Sequence, residues 1–393
     1  MSREFDVVVY GATGFTGRLV AEYLQSQYGP DNDSGVSWAM AGRSQDKLEA
    51  VRDEMGVSKD IALIVANSDD PASLEAMAAR TKSVCTTVGP YQLYGDPLVE
   101  ACVKAGTDYV DLSGEPPWMV DTIAKYDAAA KESGARIVHS CGFDSIPFDL
   151  GVYFLQQHAI AHHGGPCAKV RGRVRKMKGT FSGGTAASFF ETMKRAAKEP
   201  EVLTWLKDPF SLVPDFNGPP QPTGHKPIEE TDIGSWSAPF IMASINTKNV
   251  HRSNALLGHL YGEDFVYDEM VLTGPGEQGK AAAEFVAKDD SMAKNPPKPG
   301  EGPSKEERET GFYDVMFIGD APDGTRIIAG VTGDKDPGYG STSKMIAESA
   351  LCLAKDINRD DTPGGVYTSA PAMGGALIDR LVANAGLTFK IES

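Results

Sequence analysis

Short apolar runs alternate with amphipathic, helix-like stretches over the first 145 residues of the chain. Most of these runs are hydrophobic without interruption, which is typical of strands that are buried on both faces of a parallel sheet. The pattern predicts strands at Phe5–Tyr10, Val36–Ala41, Ile61–Ala66, Val84–Val88, Tyr109–Leu112 and Arg136–Ser140. Strand–helix alternation of this length predicts an α/β domain with a doubly wound, parallel Rossmann sheet.

The pattern changes after Gly142. A helix is predicted over Pro147–His163, and a basic strand over Val170–Lys178 follows it. Farther on, Tyr313–Gly333 is typical of a hairpin closed by Asp323-Gly324, a strong turn signal. This part of the chain predicts a mixed, mostly antiparallel sheet with helices. Further predicted elements are a helix near Ala186–Lys198, a strand at Glu263–Leu272 and helices at Ser343–Ile357 and Met373–Ala385.

The length of 393 residues indicates two domains, because it exceeds one ordinary hydrophobic core. The change of pattern after Gly142 predicts a first, α/β domain at residues 1–145 and a second, α+β domain for substrate binding or dimerisation at residues 146–338.

Charge and hydropathy exclude two functional classes. The chain has 54 Asp and Glu against 38 Lys and Arg, a formal net charge of −16, which argues against a nucleic-acid binder. No run approaches the roughly 18 apolar residues that a membrane span requires, so we expect no integral membrane segment. Strand-like residues begin at Phe5, so we also expect no signal peptide.

The cysteines and histidines favour a cytoplasmic protein without a metal site. Five cysteines are dispersed and never have Cys-x-x-Cys spacing, which is typical of reduced thiols and of neither a disulfide framework nor a zinc cage. His158 and His162 lie one helical turn apart, but no third ligand accompanies them in the sequence. We therefore predict no metal ion.

A glycine-rich loop follows the first predicted strand. It reads Gly11-Ala12-Thr13-Gly14-Phe15-Thr16-Gly17, and a predicted helix begins directly after it. Gly11 allows a tight turn, Gly14 lets the backbone approach a pyrophosphate, and Gly17 lets the helix pack closely on the sheet. The helix N-terminus adds free N–H groups for phosphates. This context predicts a dinucleotide site, and the alternative is a purely structural glycine turn.

The end of the second strand decides which dinucleotide is expected. Enzymes that use NAD commonly have an Asp or Glu there for the ribose 2′-hydroxyl. This chain has Gly42-Arg43-Ser44 instead, with Lys47 one turn into the next helix. Cations at this place suit a 2′-phosphate, so we predict NADP(H). The alternative is that Arg43 is a surface residue and Ser44 a helix cap.

Two further strand ends are expected at the cofactor, because ligands of this fold collect at the carboxyl edge of the sheet. Asn67-Ser68-Asp69 is placed to flank the adenine, and we predict contacts from Ser68 and Asp69. Val88-Gly89-Pro90-Tyr91 is placed to reach the nicotinamide, through Gly89 and Pro90. Tyr91 is a candidate proton donor, and a buried core tyrosine is the alternative.

A second glycine-rich stretch has the spacing of a P-loop, Gly274-Pro-Gly-Glu-Gln-Gly-Lys280. However, Ala281 replaces the Ser or Thr whose hydroxyl would hold Mg²⁺. Pro275 removes an N–H donor, and Glu277 adds a negative charge where phosphate would bind. We therefore predict no nucleoside triphosphate site there.

Several of these segments together resemble the saccharopine dehydrogenase-like oxidoreductases, and within them most closely the trans-acting enoyl reductase branch of mycobacterial lipid synthesis. The resemblance covers essentially the whole chain and rests on Gly11–Gly17, Ala41–Arg43, Val88–Tyr91, Tyr109–Glu115 and Cys141–Pro147. It implies a Rossmann domain at residues 1–145, interrupted by the second domain at 146–338 and completed by the C-terminal helices at 339–393. It also implies a redox reaction that depends on NADP(H). It also implies that Asp144–Pro147 lies at the domain junction beside the nicotinamide.

Carboxylates after two strand ends are candidates for acid–base chemistry. Asp144 is a candidate general acid or base, and the alternative is that it caps the helix that starts near Pro147. The same two interpretations apply to Asp111 and Glu115.

The resulting hypothesis is an NADPH-dependent reductase that delivers hydride to an activated double bond. The resemblance implies an enoyl thioester or a related lipid intermediate, as a small molecule or bound to a carrier. The alternatives are a saccharopine-type amino-acid dehydrogenase, which would need cations in the cleft, and a catalytically idle NADP(H)-binding protein. We predict that the arginines and lysines of Val170–Lys178 form a solvated face and no such cleft. A homodimer is left open.

Overall fold

The computed structural model describes residues 3–32, 34–180, 183–289 and 302–393. The N-terminal strands are β1 (Phe5–Tyr10), β2 (Trp38–Gly42), β3 (Ala62–Val65), β4 (Thr81–Thr86), β5 (Asp108–Val110) and β6 (Arg136–Val138). The helices between and after them are α1 (Phe15–Tyr28), α2 (Gln45–Glu54), α3 (Pro71–Ala78), α4 (Tyr91–Tyr94), α5 (Asp96–Ala105), α6 (Pro116–Ser133) and α7 (Ile146–His162).

The remaining strands are β7 (Lys169–Lys178), β8 (Ile228–Glu230), β9 (Ser235–Pro239), β10 (Val266–Gly274), β11 (Phe312–Asp320), β12 (Arg326–Gly333), β13 (Gly365–Tyr367) and β14 (Leu387–Ile391). The remaining helices are α8 (Gly183–Ala196), α9 (Pro200–Lys207), α10 (Ala243–Leu256), α11 (Gly276–Val286), α12 (Lys305–Thr310), a π-helical turn (Pro337–Ser341), α13 (Thr342–Lys355) and α14 (Ser369–Asn384).

The first sheet has the strand order β13-β6-β5-β4-β1-β2-β3, and each neighbouring pair is parallel. The predicted doubly wound sheet is therefore confirmed. β1 lies between β2 and β4, where the strand order reverses, so the loops after these three strands meet at one edge. The short edge strand β13 was not predicted, because three residues carry little periodicity.

The second sheet is mixed, with the order β14-β12-β11-β7-β10-β9-β8. Only β7 and β10 are parallel among its described neighbours. The predicted hairpin is confirmed, since β11 and β12 pair along their length and Gly324 takes a positive φ of 86° in the turn. The prediction of a mostly antiparallel second sheet is confirmed as well.

A hydrophobic core connects the two sheets. Side chains on one face of β1, Val7 and Val9, share this core with Leu351 of α13, Leu155 of α7 and Phe317 of β11. Because side chains alternate along a strand, Val8 and Tyr10 pack on the opposite face, in a core that they share with α3, α5 and α6. The shared core holds the second sheet against the first, which sets the width of the crevice between them.

The C-terminal segment contributes to both sheets. Helix α13 packs against β1, β4 and β5 of the first sheet, and β13 extends that sheet. Strand β14, in contrast, pairs with β12 at the edge of the second sheet. The exact division into domains at residues 1–145, 146–338 and 339–393 stays a prediction.

Candidate cofactor and substrate site

A cavity of about 680 Å³ lies between the carboxyl edge of the first sheet and the second sheet. One side is formed by Gly14–Thr16 after β1, by Gly89–Tyr91 after β4 and by Gly142–Asp144 before α7. The opposite side is largely apolar and includes Met177, Phe189, Met193, Phe240, Met242 and Ile245. Asp144 is the one Asp, Glu, Lys, Arg or His among the cavity-lining residues that the structure describes.

The glycine loop has the geometry that its sequence predicts. Gly11 takes a positive φ of 88°, and a Cβ there would come within 2.7 Å of the Val88 side chain. A Cβ at Gly17 would overlap the carbonyl oxygen of Gly11, so only glycine lets α1 pack this closely on the end of β1. The carbonyl of Thr13 accepts a hydrogen bond from the Arg18 side chain at 3.3 Å.

The start of α1 leaves donors free. Gly14 is the N-cap and supplies no side-chain cap, and the first turn contains no acidic residue. Within the described parts of the chain, the N–H groups of Phe15, Thr16 and Gly17 have no acceptor. Free N–H groups at a helix N-terminus, next to a glycine without a side chain, fit the pyrophosphate of a dinucleotide. The residues present therefore fit the predicted cofactor.

The cations predicted for the 2′-phosphate lie at the end of β2, beside the glycine loop and outside the cavity itself. Arg43 and Lys47 are exposed, and neither forms an ion pair with any residue that the structure describes. Ser44 is the N-cap of α2, and its hydroxyl accepts the N–H of Lys47 at 3.4 Å. The capping alternative thus describes Ser44 in this structure, while both cations remain free for an anion.

The predicted adenine side lies at the end of β3. Ser68 is half-buried and interacts with the hydroxyl of Tyr10, whose pKa is raised by burial. Asp69 is exposed, and its N–H donates to the side chain of Asn67 at 3.2 Å. Neither Ser68 nor Asp69 lines the cavity, but both follow β3, the neighbour of β2, and so lie on the same sheet edge as Arg43.

The hydroxyl group of Tyr91 is hydrogen-bonded to the backbone of two neighbouring segments. Its ring lines the cavity and stacks on Trp118 at 5.4 Å between ring centroids. The hydroxyl donates to the carbonyl of Thr86 at 3.3 Å and accepts the N–H of Leu112 at 3.0 Å. Burial raises the pKa of Tyr91 well above its ordinary value. This geometry favours the core alternative for Tyr91 over a proton donor.

Asp144 has the opposite character. It is half-buried at the cavity wall, and its carboxyl group makes no hydrogen bond or ion pair within the described chain. Burial raises the pKa of this carboxyl from 3.8 to about 6, and no neighbouring charge contributes. The N-cap position of α7 belongs to Ser145, so Asp144 is not the cap of that helix. Its carboxyl is therefore free to react.

The two other candidate carboxylates organise loops. Asp111 accepts the N–H groups of Ser113 and Ser140 at 2.8 and 2.9 Å, and it pairs with His139 at 2.7 Å.

Glu115 is buried and binds the start of α4. It accepts the N–H groups of Tyr91 and Gln92 at 2.8 and 2.9 Å and the hydroxyl of Ser188 at 2.7 Å. Burial raises the pKa of Glu115. Because Ser188 belongs to α8, Glu115 holds this helix of the cavity wall against the first domain.

The apolar wall was not predicted from the sequence. It comes from α8, whose exposed Phe189 and Met193 face the cavity mouth, and from α10, which carries Ile245. Helical spacing of Phe189 and Met193 is a signal for α8, but periodicity gives no sign that this face meets the glycine loop. Tertiary packing alone brings these segments together.

The basic strand β7 does not supply cations to the cavity. Arg171 binds Asp232 and Glu230, and buried Arg173 binds Glu230 and Asp268. Arg175 binds Asp314 and Glu392 in the same way. The predicted solvated face is thus wrong for Arg173, which is buried in an ion-pair network. The saccharopine-type alternative also lacks the cationic cleft that it needs.

No helix among residues 3–32, 34–180, 183–289 and 302–393 has the length and hydropathy to cross a bilayer. In the same ranges, no group of three or more His, Cys, Asp and Glu side chains is arranged to hold a metal ion.

Comparison with known proteins supports these observations. Residues 7–138 match the family described as the saccharopine dehydrogenase NADP binding domain. The chain is 42% identical to the protein named "Putative trans-acting enoyl reductase Rv2449c" of Mycobacterium tuberculosis (strain ATCC 25618 / H37Rv), over 97% of this chain and 96% of that protein. It is 38% identical to the trans-acting enoyl reductase of Mycobacterium ulcerans (strain Agy99), over 96% of each chain.

A solved structure agrees on the fold. Apo histidine-tagged saccharopine dehydrogenase (L-Glu forming) from Saccharomyces cerevisiae superimposes with a TM-score of 0.54 at 12% identity, over 98% of this chain and 99% of that one. The predicted family, NADP dependence and oxidoreductase class are confirmed by these matches. The chain belongs to the trans-acting enoyl reductase family of saccharopine dehydrogenase-like, NADP-dependent oxidoreductases.

Proposed function

We propose that the chain reduces the α,β-double bond of an acyl thioester, with Asp144 as the proton donor. The observation that carries this proposal is the unpaired Asp144 carboxyl, which is the one Asp, Glu, Lys, Arg or His side chain among the described residues that line the cavity. That cavity begins at the NADP-binding glycine loop. The names of the relatives, trans-acting enoyl reductases, support the same reaction class.

The reaction needs a hydride and a proton. Bound NADPH supplies the hydride to the β-carbon of the thioester. Asp144 gives its proton to the α-carbon and takes a replacement from solvent, so the products are the saturated thioester and NADP⁺. The apolar walls exclude water from the reacting carbons and accept the hydrocarbon chain.

The cofactor roles of the predicted residues are part of this proposal. The backbone of Gly11, Thr13, Gly14, Phe15, Thr16 and Gly17 would hold the pyrophosphate. Arg43, Ser44 and Lys47 would bind the 2′-phosphate, Ser68 and Asp69 would flank the adenine, and Gly89 and Pro90 would border the nicotinamide. The free donors at α1 and the two unpaired cations support these assignments.

We further propose a carrier-bound acyl substrate and a cytoplasmic location. The cavity wall continues into exposed apolar side chains, Phe189, Met193 and Ile241, which would let a long chain extend out of the cavity. All five cysteines are buried and free, which fits a reducing compartment. A homodimer remains a prediction that sedimentation can test.

The test of the proposed reaction is NADPH oxidation with a panel of trans-2-enoyl thioesters. As a general acid, Asp144 must be protonated, so the rate of reduction falls as pH rises above about 6. Asp144→Asn has no proton to give and loses this pH dependence together with at least about 100-fold of kcat, the range of one acid catalyst. The NADPH Kd stays unchanged.

Two outcomes would contradict the proposal. Full activity in Asp144→Asn would remove Asp144 from the reaction. A wild-type chain that binds NADPH but turns over no enoyl thioester in the panel would favour a catalytically idle, cofactor-binding protein.

A further inference from the structure

Helix α10 carries polar side chains in a place where a helix normally buries apolar ones. Asn246, Asn249 and Ser253 are at most 1% exposed. The helix lies between the second sheet and the segment that precedes α7, and Ile245 at its start lines the cavity. These side chains form no part of the reaction described above, so their burial needs a separate reason.

Two asparagines of α10 meet Ser145, the residue after the proposed proton donor. The Nδ2 group of Asn249 donates to the Ser145 hydroxyl at 2.5 Å. That hydroxyl in turn donates to the carbonyl of Asp144 at 2.6 Å, with the Oδ1 of Asn246 at 3.4 Å. The backbone on the C-terminal side of Asp144 is therefore held by a chain of side-chain hydrogen bonds.

The far end of this chain is fixed in the second sheet. The Nδ2 group of Asn246 donates to Glu269 of β10 at 2.8 Å, and the hydroxyl of Tyr267 donates to the other oxygen of Glu269 at 2.9 Å. Burial raises the pKa of Glu269 to about 8. The network thus carries little charge at neutral pH. It holds Ser145 in place through the directions and lengths of its hydrogen bonds.

The carboxyl of Asp144 lies in the space beside Gly114, at the wall of the cavity. A Cβ on Gly114 would lie 3.6 Å from the Oδ2 of Asp144 and 3.1 Å from the side chain of Ile245. On its other side, the N–H of Phe143 donates to Thr342 at 3.0 Å. A small rotation of the Asp144 backbone would move its carboxyl out of this space, because nothing else in the described chain bonds to it.

We propose that Asn249 is a positioning residue for Asp144: through the Ser145 hydroxyl it fixes the Asp144 backbone, so that the free carboxyl points into the cavity. Asn246 supports the same serine and is itself locked by Glu269. This inference rests on the proposed function, since Asp144 is there the proton donor. A helix of the second domain, α10, thereby positions the proton donor of a site whose cofactor would bind to the first domain.

The structure offers a substitution that separates positioning from folding. The Oδ1 of Asn249 is buried with no partner among the described residues, so Asn249→Leu removes an unsatisfied group as well as one hydrogen bond. Leu also has the same number and branching of side-chain heavy atoms as Asn, and we expect the Tm to stay close to wild type.

A matched control lies on the same helix. Asn254 is also buried, and both of its polar atoms are bonded, to the carbonyl of Gly262 and to the N–H of Tyr261, each at 2.8 Å. Asn254→Leu therefore loses stability but does not touch the Ser145–Asp144 segment.

The experiment compares wild type, Asn249→Leu, Asn254→Leu and Asp144→Asn in full-length protein. Activity is measured with NADPH and the trans-2-octenoyl thioester of N-acetylcysteamine. The pKa of Asp144 is measured by ¹³C NMR of Asp-labelled protein, with the resonance assigned by its absence in Asp144→Asn.

For Asn249→Leu we expect kcat to fall by roughly 10- to 100-fold, as for a misplaced catalytic group, at unchanged NADPH Kd. The pKa of Asp144 falls from about 6 toward 3.8, because the loosened carboxyl gains access to water. Asn254→Leu lowers the Tm. It leaves kcat within about twofold of wild type and the Asp144 pKa within a few tenths of a pKa unit.

The inference is overturned if Asn249→Leu keeps the wild-type kcat and Asp144 pKa, or if Asn254→Leu changes both to the same extent. Failure of the proposed function is a different result: Asp144→Asn then retains activity. The NMR measurement still reports whether Asn249 positions the carboxyl.

Discussion

Two glycine loops in this chain share two backbone features but have different surroundings. Gly11, directly after β1, and Gly274, at the end of β10, each take a positive φ, of 88° and 98°. A Cβ at Gly17 would overlap the carbonyl oxygen of Gly11, and a Cβ at Gly279 would overlap that of Gly274. Both loops lead directly into a helix whose N-cap supplies no side-chain hydrogen bond.

The surroundings of the two loops differ in topology and charge. β1 lies between two parallel neighbours, so the first loop shares its edge with the loops after β2 and β4 and borders the cavity. β10 has β7 in parallel but β9 antiparallel, and its loop lines no part of that cavity. Glu277 also occupies the first turn of α11, whereas α1 has no acid there.

The comparison shows that glycines at this spacing indicate a helix packed closely on the end of a strand, and that they do not by themselves indicate a phosphate site. A phosphate site also requires that neighbouring loops converge there and that no carboxylate competes with the phosphate. In a doubly wound sheet this combination occurs where the strand order reverses. The topology of the sheet therefore favours the first loop as the proposed NADP site.

The largest difference is expected from matched glycine-to-alanine substitutions. Gly17→Ala must displace α1 from β1, which loses two or more N–H bonds to phosphate at about 1.5–3 kcal/mol each, so NADPH binding weakens more than 100-fold. Gly279→Ala displaces α11 from β10 in the same way and leaves NADPH affinity unchanged. Calorimetric titration with NADPH measures both.

Both alanine variants should lose stability by about 1–3 kcal/mol, the usual range for overpacking. Equal losses of NADPH affinity in the two variants would mean that the effect is global, and the distinction between the loops would be refuted.

A smaller effect is expected from an aspartate at each helix N-cap. Gly14 has a φ of −77°, and a Cβ there would lie 3.3 Å from the Gly11 carbonyl oxygen, so a side chain fits once this carbonyl moves by a few tenths of an ångström. Asp is a better N-cap than Gly by a few tenths of a kcal/mol, which offsets this adjustment, and Gly14→Asp should keep a Tm close to wild type. Its carboxylate faces the pyrophosphate, which weakens NADPH binding at least about 10-fold through charge repulsion.

Pro275→Asp is the corresponding change at α11. It should leave NADPH affinity unaltered, since this helix start is exposed to solvent. Thermal unfolding and NADPH titration of both variants give the result, and tight NADPH binding by Gly14→Asp would argue against the first loop as the phosphate site.

The elements of the first sheet could be predicted because fully buried parallel strands leave uninterrupted apolar runs in the sequence. Helix α10 could not be predicted in this way, since its buried residues include Asn246, Asn249 and Lys248. Lys248 donates to the carbonyl of Asp208, and burial lowers the pKa of Lys248 to about 8. The buried face of such a helix consists of hydrogen-bonded polar side chains, so the helix shows no hydrophobic periodicity in the sequence.

The candidate site likewise contains features that local sequence predicts and features that long-range packing produces. The glycine loop and the position of Arg43 were predictable, because both depend on neighbouring residues in the sequence. For Asp144, the sequence left a general acid or base and a helix cap as alternatives, and only the structure assigns the N-cap of α7 to Ser145 and leaves the Asp144 carboxyl unpaired among the described residues. The apolar wall from α8 and α10 depends on long-range packing, so local patterns contain no sign of it.

The smallest expected effect concerns the cations near the two loops. Arg43 is exposed and unpaired among the described residues, whereas Lys280 lies over the ring of Trp236 at 5.7 Å. Arg43→Ala should weaken NADPH binding about 10-fold and leave NADH binding unchanged, because only NADPH carries the 2′-phosphate that a charge-assisted bond would hold. Lys280→Ala should cost about 0.5 kcal/mol of stability and affect neither cofactor. Fluorescence titration with both cofactors distinguishes these results, and an unchanged NADPH-to-NADH ratio in Arg43→Ala would place the 2′-phosphate elsewhere.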